Sequence, residues 1–202
     1  MIAAIQSKKK VSEAEYLRID REGNREKNGK CEYFKNKIKL VPDGSHSHNL
    51  ILSNINFTLV FGLKVLKSEC SVLSNVKVVY FDKVNNYFYP DSVISDGKVK
   101  EKDQNEDILT NPLVIVEVLS DSTEGFDRGD KFKSYRNIPS LKEYLLVSQN
   151  ENCLEQFYKD ENGRWQFGEI VTTGSLKLKS IDIEIAIDDV YFNIESESNQ
   201  EE

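Results

Sequence analysis

The chain has 202 residues, 30% of them charged and 39% hydrophobic, with a formal net charge of −7. A chain this long buries about 70% of its unfolded surface, enough for one domain with its own core and no disulfide or structural metal to hold it. The three cysteines, Cys31, Cys70 and Cys153, are widely spaced, which argues against a disulfide framework or a zinc knuckle and fits a reducing, cytoplasmic setting. His46 and His48 are the two histidines, so a Ser-His-Asp or His-rich zinc site would be confined to one short segment.

At the N-terminus an apolar start precedes Lys8, Lys9 and Lys10, the reverse of signal-peptide order. No run reaches the roughly 18 apolar residues of a spanning helix, and no membrane partner is expected. Residues 1–10 read as a flexible N-terminus and 11–194 as a single domain. Glu195, Glu197, Glu201 and Glu202 mark 195–202 as an acidic, disordered tail.

Ser12 with Glu15 forms a capping-box pattern and predicts a helix over 12–20, followed by a polar loop over 21–30. Residues 31–40 read as a hairpin turning at Lys35-Asn36, with Asn36 able to take a positive φ. Leu52, Ile55, Leu59, Leu63 and Leu66 recur at steps of three and four, which predicts a helix over 48–66 with one buried stripe. Residues 72–81 alternate and are rich in β-branched side chains, so a strand is expected there. Asn85-Asn86 signals a turn before a second strand over 87–95. A charged loop over 97–109 leads to the most apolar run, 113–119, read as a central strand. Residues 127–138 read as a helix stopped by Pro139, and 143–148 as a strand. Asn162-Gly163 predicts a type I′ hairpin between two further runs. Ile181, Ile183, Ile185 and Ile187 alternate with Asp182, Glu184 and Ala186, the pattern of a half-buried antiparallel strand.

Three residues break these patterns. Glu117 sits among Val114, Ile115, Val116, Val118 and Leu119 in a strand read as buried on both faces, where an unpaired carboxylate costs several kcal/mol or is protonated. Asp91 follows Pro90 at the start of an apolar run that should neighbour the Glu117 strand. Like charges about 4 Å apart repel by about 4 kcal/mol at an effective dielectric of 20, and a divalent cation removes that cost. Carboxylates with carbonyls and waters form a hard oxygen set, suited to Mg²⁺ or Mn²⁺. Lys131 shares a helical stripe with Tyr135 and Ile138, so its ammonium is carried inward, while Lys133 and Arg136 fall on the other side. Asp, Glu and Lys converging on a metal is an arrangement that cleaves phosphodiesters.

The strings Val116-Glu117-Val118-Leu119-Ser120-Asp121-Ser122-Thr123, Asp127-Arg128-Gly129-Asp130-Lys131-Phe132 with Tyr135-Arg136, and Leu141-Lys142-Glu143-Tyr144-Leu145-Leu146-Val147 resemble the Uma2 family. Its members are restriction-endonuclease-like proteins of the PD-(D/E)xK superfamily, abundant in cyanobacteria. Cys31-Glu32-Tyr33 is similar to the family's first strand, His48 to the start of its long helix and Pro90-Asp91 to its PD element; the resemblance covers about residues 11–194. The chain departs from the pattern at Lys35-Asn36, where an Asp-Gly turn is usual, and at Asp121, where proline is usual. Leu119 stands where the superfamily usually has its lysine, and the resemblance implies that the lysine has moved to Lys131.

The resemblance implies an α/β (α+β) fold with a restriction-endonuclease-like αβββαβ core and a mixed central sheet. An N-terminal helix and hairpin and C-terminal antiparallel strands complete it. It further implies a metal-dependent DNA endonuclease in which Asp91, Glu117 and the backbone carbonyl of Val118 hold Mg²⁺ or Mn²⁺ and Lys131 orients water. Glu32 and His48 are accessory candidates and Arg136 a candidate phosphate contact. DNA binding should be weak and salt-dependent for so acidic a chain, and a homodimer would suit cutting of both strands. The alternative on the same fold is a catalytically silent module that binds DNA or another protein.

Overall fold

A computed structural model describes residues 10–25, 29–41, 43–80, 85–102, 104–105 and 107–194. The expectations for residues 1–9 and for the tail 195–202 lie outside the described residues, as does position 81 at the end of an expected strand.

The N-terminal part comprises α1 (Glu13–Arg25), β1 (Cys31–Phe34), β2 (Lys37–Leu40) and α2 (His46–Val65). Then come β3 (Val72–Leu73), β4 (Lys77–Tyr80), β5 (Asn86–Phe88), β6 (Ser92–Ser95), β7 (Ile108–Leu109) and β8 (Pro112–Leu119). A helical segment follows in three pieces, α3 (Glu124–Phe126), a π-helical turn (Asp127–Lys131) and α4 (Phe132–Tyr135). The chain continues through β9 (Glu143–Ser148), β10 (Leu154–Lys159), β11 (Trp165–Val171), β12 (Ser175–Lys177), β13 (Glu184–Ala186) and α5 (Ile187–Val190). A six-stranded mixed sheet has the order β11-β10-β9-β8-β6-β3, and a five-stranded sheet the order β2-β1-β5-β4-β7. The αβββαβ order is present, with β8 antiparallel to β6 and parallel to β9 at the centre.

Every residue of β8 is buried, and its alternation assigns each face a partner. Val114, Val116 and Val118 pack with Ile51, Ile55, Leu59 and Leu63 of α2, while Ile115 and Leu119 pack with Tyr135 and Ile138 on the other side. Glu117 has the parity of Ile115 and Leu119. It is therefore aimed at the π-helical turn and α4 rather than at α2.

Both strands expected before the central one are divided between the two sheets. The run 72–81 breaks at Asn75, whose φ is +61°, so that β3 pairs with β6 and β4 with β5 in the other sheet. The run 87–95 breaks at Pro90, which has no N–H for a ladder, and splits into β5 and β6. Asp91 thus stands where the chain passes from one sheet to the other.

Other elements differ in detail. The first helix continues to Arg25 rather than yielding to a loop at 21; the Ser12 cap is present, its Oγ accepting from the Glu15 N–H at 3.2 Å. The long helix starts two residues earlier because Ser45 caps it, accepting from the His48 N–H at 3.0 Å. Leu66 is 41% exposed, and Ile51 takes its place in the buried stripe. The loop 97–109 ends in β7, parallel to β4. At 162–163 the turn has a single left-handed residue, Gly163 with φ +74°, so it is not type I′. The alternation at 181–187 describes burial but not pairing, since β12 offers only three partners, Ile187 opens α5, and the strand is confined to Glu184–Ala186. No helix among the described residues is long and apolar enough to cross a membrane.

Candidate active site

A cleft of about 690 Å³ lies beside the β1–β2 hairpin and the end of β8, and Glu32, His48, Asp91, Glu117, Asp127 and Lys131 line it. Five elements deliver them. Glu32 comes from β1, His48 from the first turn of α2, Asp91 from the sheet break and Glu117 from the central strand. The π-helical turn carries Asp127 and Lys131, both buried. Its wider winding is a feature often found at functional sites.

Lys131 is the hub. Its Nζ lies 2.9 Å from Glu117 Oε1, 3.1 Å from Glu32 Oε1 and 3.3 Å from Asp127 Oδ1. The Tyr135 hydroxyl donates to Glu117 Oε1 at 3.2 Å, and the Tyr89 N–H donates to Glu32 Oε1 at 3.2 Å. Asp91 Oδ2 accepts from the Val118 N–H at 2.7 Å and lies 3.3 Å from His48 Nε2. In a strand the N–H and C=O of one residue project to the same edge, so the Val118 carbonyl faces the Asp91 side.

Carboxylates outnumber cations here, and the titration of the cluster follows. Burial pushes the Glu117 carboxyl well above its ordinary range; Lys131 opposes this, while Asp127 and Asp91 add to it. For Lys131, burial alone would lower the pKa, but the fields of Glu117, Glu32 and Asp127 outweigh it and hold the ammonium charged. Burial also opposes the charged form of His48, and its hydrogen bond and charge interaction with Asp91 carry its pKa above the usual imidazole value.

Among the described residues no group of three His, Cys, Asp or Glu side chains forms a ready-made metal cage. The donor set nonetheless fits a hard cation. Asp91 Oδ1 and Glu117 Oε2 have no hydrogen-bond partner among the described residues, and both side chains line the cleft. With the Val118 carbonyl they present oxygen donors alone, and the local excess of negative charge favours a divalent ion.

The family model for Uma2, described as "Putative restriction endonuclease", matches residues 13–187. The chain belongs to the Uma2 family. Similar proteins include two from Synechocystis sp. (strain ATCC 27184 / PCC 6803 / Kazusa). One, "Uncharacterized protein slr1290", is 33% identical over 183 residues, 90% of this chain and 92% of that protein. The other, "Uncharacterized protein sll1609", is 30% identical over 161 residues, 80% of this chain and 88% of that one. A crystal structure described as "a putative nuclease belonging to DUF820 from Anabaena variabilis ATCC 29413" has the same fold. Its TM-score is 0.66 at 14% identity, covering 81% of this chain and 90% of that one.

The cleft of this Uma2 chain gathers five of the six expected side chains, Asp91, Glu117, Lys131, Glu32 and His48. Arg136 is exposed and outside the cleft lining; its backbone carbonyl instead accepts from Trp165 Nε1 at 2.8 Å. Sequence reasoning missed Asp127. The signal was available, because Asp127 stands four residues before Lys131 and so shares its helix face. It also missed the buried cluster behind Tyr89, where Lys77 Nζ lies 2.9 Å from Asp20 Oδ2 and 2.6 Å from Asp107 Oδ2. The Tyr89 hydroxyl donates to Asp20 Oδ2 at 2.8 Å, which anchors the residue just before Pro90-Asp91.

Proposed function

We propose that this chain is a divalent-cation-dependent endonuclease that hydrolyses phosphodiester bonds in DNA. The observation that carries the reading is the pair of uncommitted oxygens, Asp91 Oδ1 and Glu117 Oε2, in a cleft with the buried ammonium of Lys131. The family description and the words used of the Anabaena protein support nucleic acid as the substrate.

Asp91, Glu117 and the Val118 carbonyl would hold Mg²⁺ or Mn²⁺. Such an ion supplies positive charge to the phosphate as negative charge builds up during in-line attack. Lys131 orients the attacking water and adds a second positive charge beside it. Glu32 and Asp127 fix the lysine, and His48 and the Val118 N–H fix the rotamer of Asp91, so that the acting groups are held in place before substrate arrives. Cutting both strands of a duplex is simplest with two copies about a twofold axis, and sedimentation with DNA reads that copy number. A DNA substrate and three unpaired cysteines agree with a cytoplasmic setting.

The test is incubation of supercoiled plasmid with Mg²⁺ or Mn²⁺, with and without EDTA. Nicked or linear product that EDTA abolishes is expected, and intact plasmid across all enzyme concentrations contradicts the reading. One observation favours a silent binding module. The three ion pairs of Lys131 already compensate part of the cluster within the protein. That module would retain plasmid without cutting it.

A further inference from the structure

Lys131 is not the cation best placed to meet a substrate. Its side chain is only 6% exposed and its charge is committed to three carboxylates. Two other lysines line the same cleft, Lys30 and Lys39. Both belong to the β1–β2 hairpin, whose register fixes where they point. Glu32 is paired directly with Lys39, and the Val41 N–H donates to the Lys30 carbonyl at 2.9 Å. Residues 30, 32, 39 and 41 therefore share one face of the hairpin, the face whose Glu32 reaches Lys131.

Neither lysine has a carboxylate partner among the described residues. Lys30 Nζ donates to Asn75 Oδ1 and lies 5.5 Å from the centroid of the Tyr89 ring. Lys39 Nζ lies 3.9 Å from the centroid of the Phe126 ring. By contrast Lys35, at the hairpin tip, is paired with Asp130 at 3.4 Å. Desolvation lowers the pKa of Lys30, and the fields of Asp91, Asp43 and Asp20 only partly oppose it. A half-desolvated ammonium without a counter-ion is a cost that an incoming anion relieves. In a chain of net charge −7, contact with a polyanion must fall to a local pair such as this one.

We propose that Lys30 and Lys39 form a phosphate-binding wall that grips the DNA backbone next to the scissile phosphate, leaving Lys131 to the chemistry. This rests on the endonuclease reading. The test is fluorescence anisotropy of a labelled duplex over a range of salt concentrations, in Ca²⁺ instead of Mg²⁺. Wild type, Lys30→Gln, Lys39→Met, Lys30→Arg and Lys133→Met are compared. Lys30→Gln keeps a donor for Asn75, and thermal melts check that each variant is folded.

Removing one lysine from a DNA phosphate flattens the slope of log K against log salt by about 0.9. Lys30→Gln and Lys39→Met should each flatten it by about that amount. Lys30→Arg should keep the wild-type slope, and so should Lys133→Met, whose lysine is exposed and does not line the cleft. Wild-type slopes in Lys30→Gln and Lys39→Met, or an equal flattening in Lys133→Met, overturn the wall and leave the endonuclease reading standing. Absence of DNA binding by wild type overturns both.

Discussion

Two buried glutamates on neighbouring strands of the six-stranded sheet have opposite surroundings. Glu143 on β9 is 1% exposed and Glu117 on β8 is 2% exposed, three residues apart along the parallel register in which Val114 faces Glu143 and Glu117 faces Leu146. Both oxygens of Glu143 are taken. Oε1 accepts from Gln156 Nε2 at 2.8 Å and the Lys179 N–H at 2.8 Å, and Oε2 from the Ser180 N–H at 2.7 Å and the Ser180 hydroxyl. Glu117 takes Lys131 and Tyr135 on one oxygen and leaves the other open to the cleft. Equal burial therefore separates two uses of a carboxylate. A saturated one fastens the segment at 179–180 to the sheet, whereas an unsaturated one keeps capacity for something not yet bound.

The largest expected effect is on turnover. Asp91→Asn or Glu117→Gln should lower plasmid cleavage by about 10³, the scale of losing a group that stabilises the transition state, while Glu143→Gln cleaves at the wild-type rate per folded molecule. Loss of cleavage in folded Glu143→Gln would erase the distinction. Next in size, Lys131→Met strands three carboxylates and should cost about 3 kcal/mol in urea unfolding. Adding Glu117→Gln to it should recover part of that loss, a coupling that a double-mutant cycle measures. Glu143→Gln should cost about 2 kcal/mol, because an amide cannot accept from all four donors.

The smallest expected effect depends on pH. The pKa of Glu117 is raised in the folded protein, so its stabilising contribution is present below the ordinary carboxylate range and is lost as pH rises through the folded value. Glu117→Gln should therefore be more favourable to the stability of the metal-free protein at neutral pH than at acid pH. Melts across pH read the difference. An effect of the same size at every pH would mean that charge is not its source.

Much of this arrangement was legible in the sequence, because the signals were local. An acid inside the run at 113–119 and a lysine on a helical stripe with Tyr135 and Ile138 are each departures from a strong period, and the cleft unites them. The β1–β2 turn was equally legible, since Lys35 and Asn36 both take positive φ. Some misses were local, as at Asp127 and Pro90, but the sharing of strands between two sheets was not. Nothing in the alternation at 72–81 and 87–95 reveals that each run serves two sheets, because a β-branched strand has the same pattern in either. Nor could spacing join Lys77 to Asp20, 57 positions away.

The account stands or falls on Glu117 being left open for a cation where Glu143 is closed. Calorimetric titration with Mn²⁺ of wild type, Glu117→Gln and Glu143→Gln, each below its melting temperature, tests this without depending on DNA. Wild type and Glu143→Gln should bind with equal affinity and Glu117→Gln more weakly by about 10-fold or more. Equal binding by Glu117→Gln, or none by wild type, would contradict it.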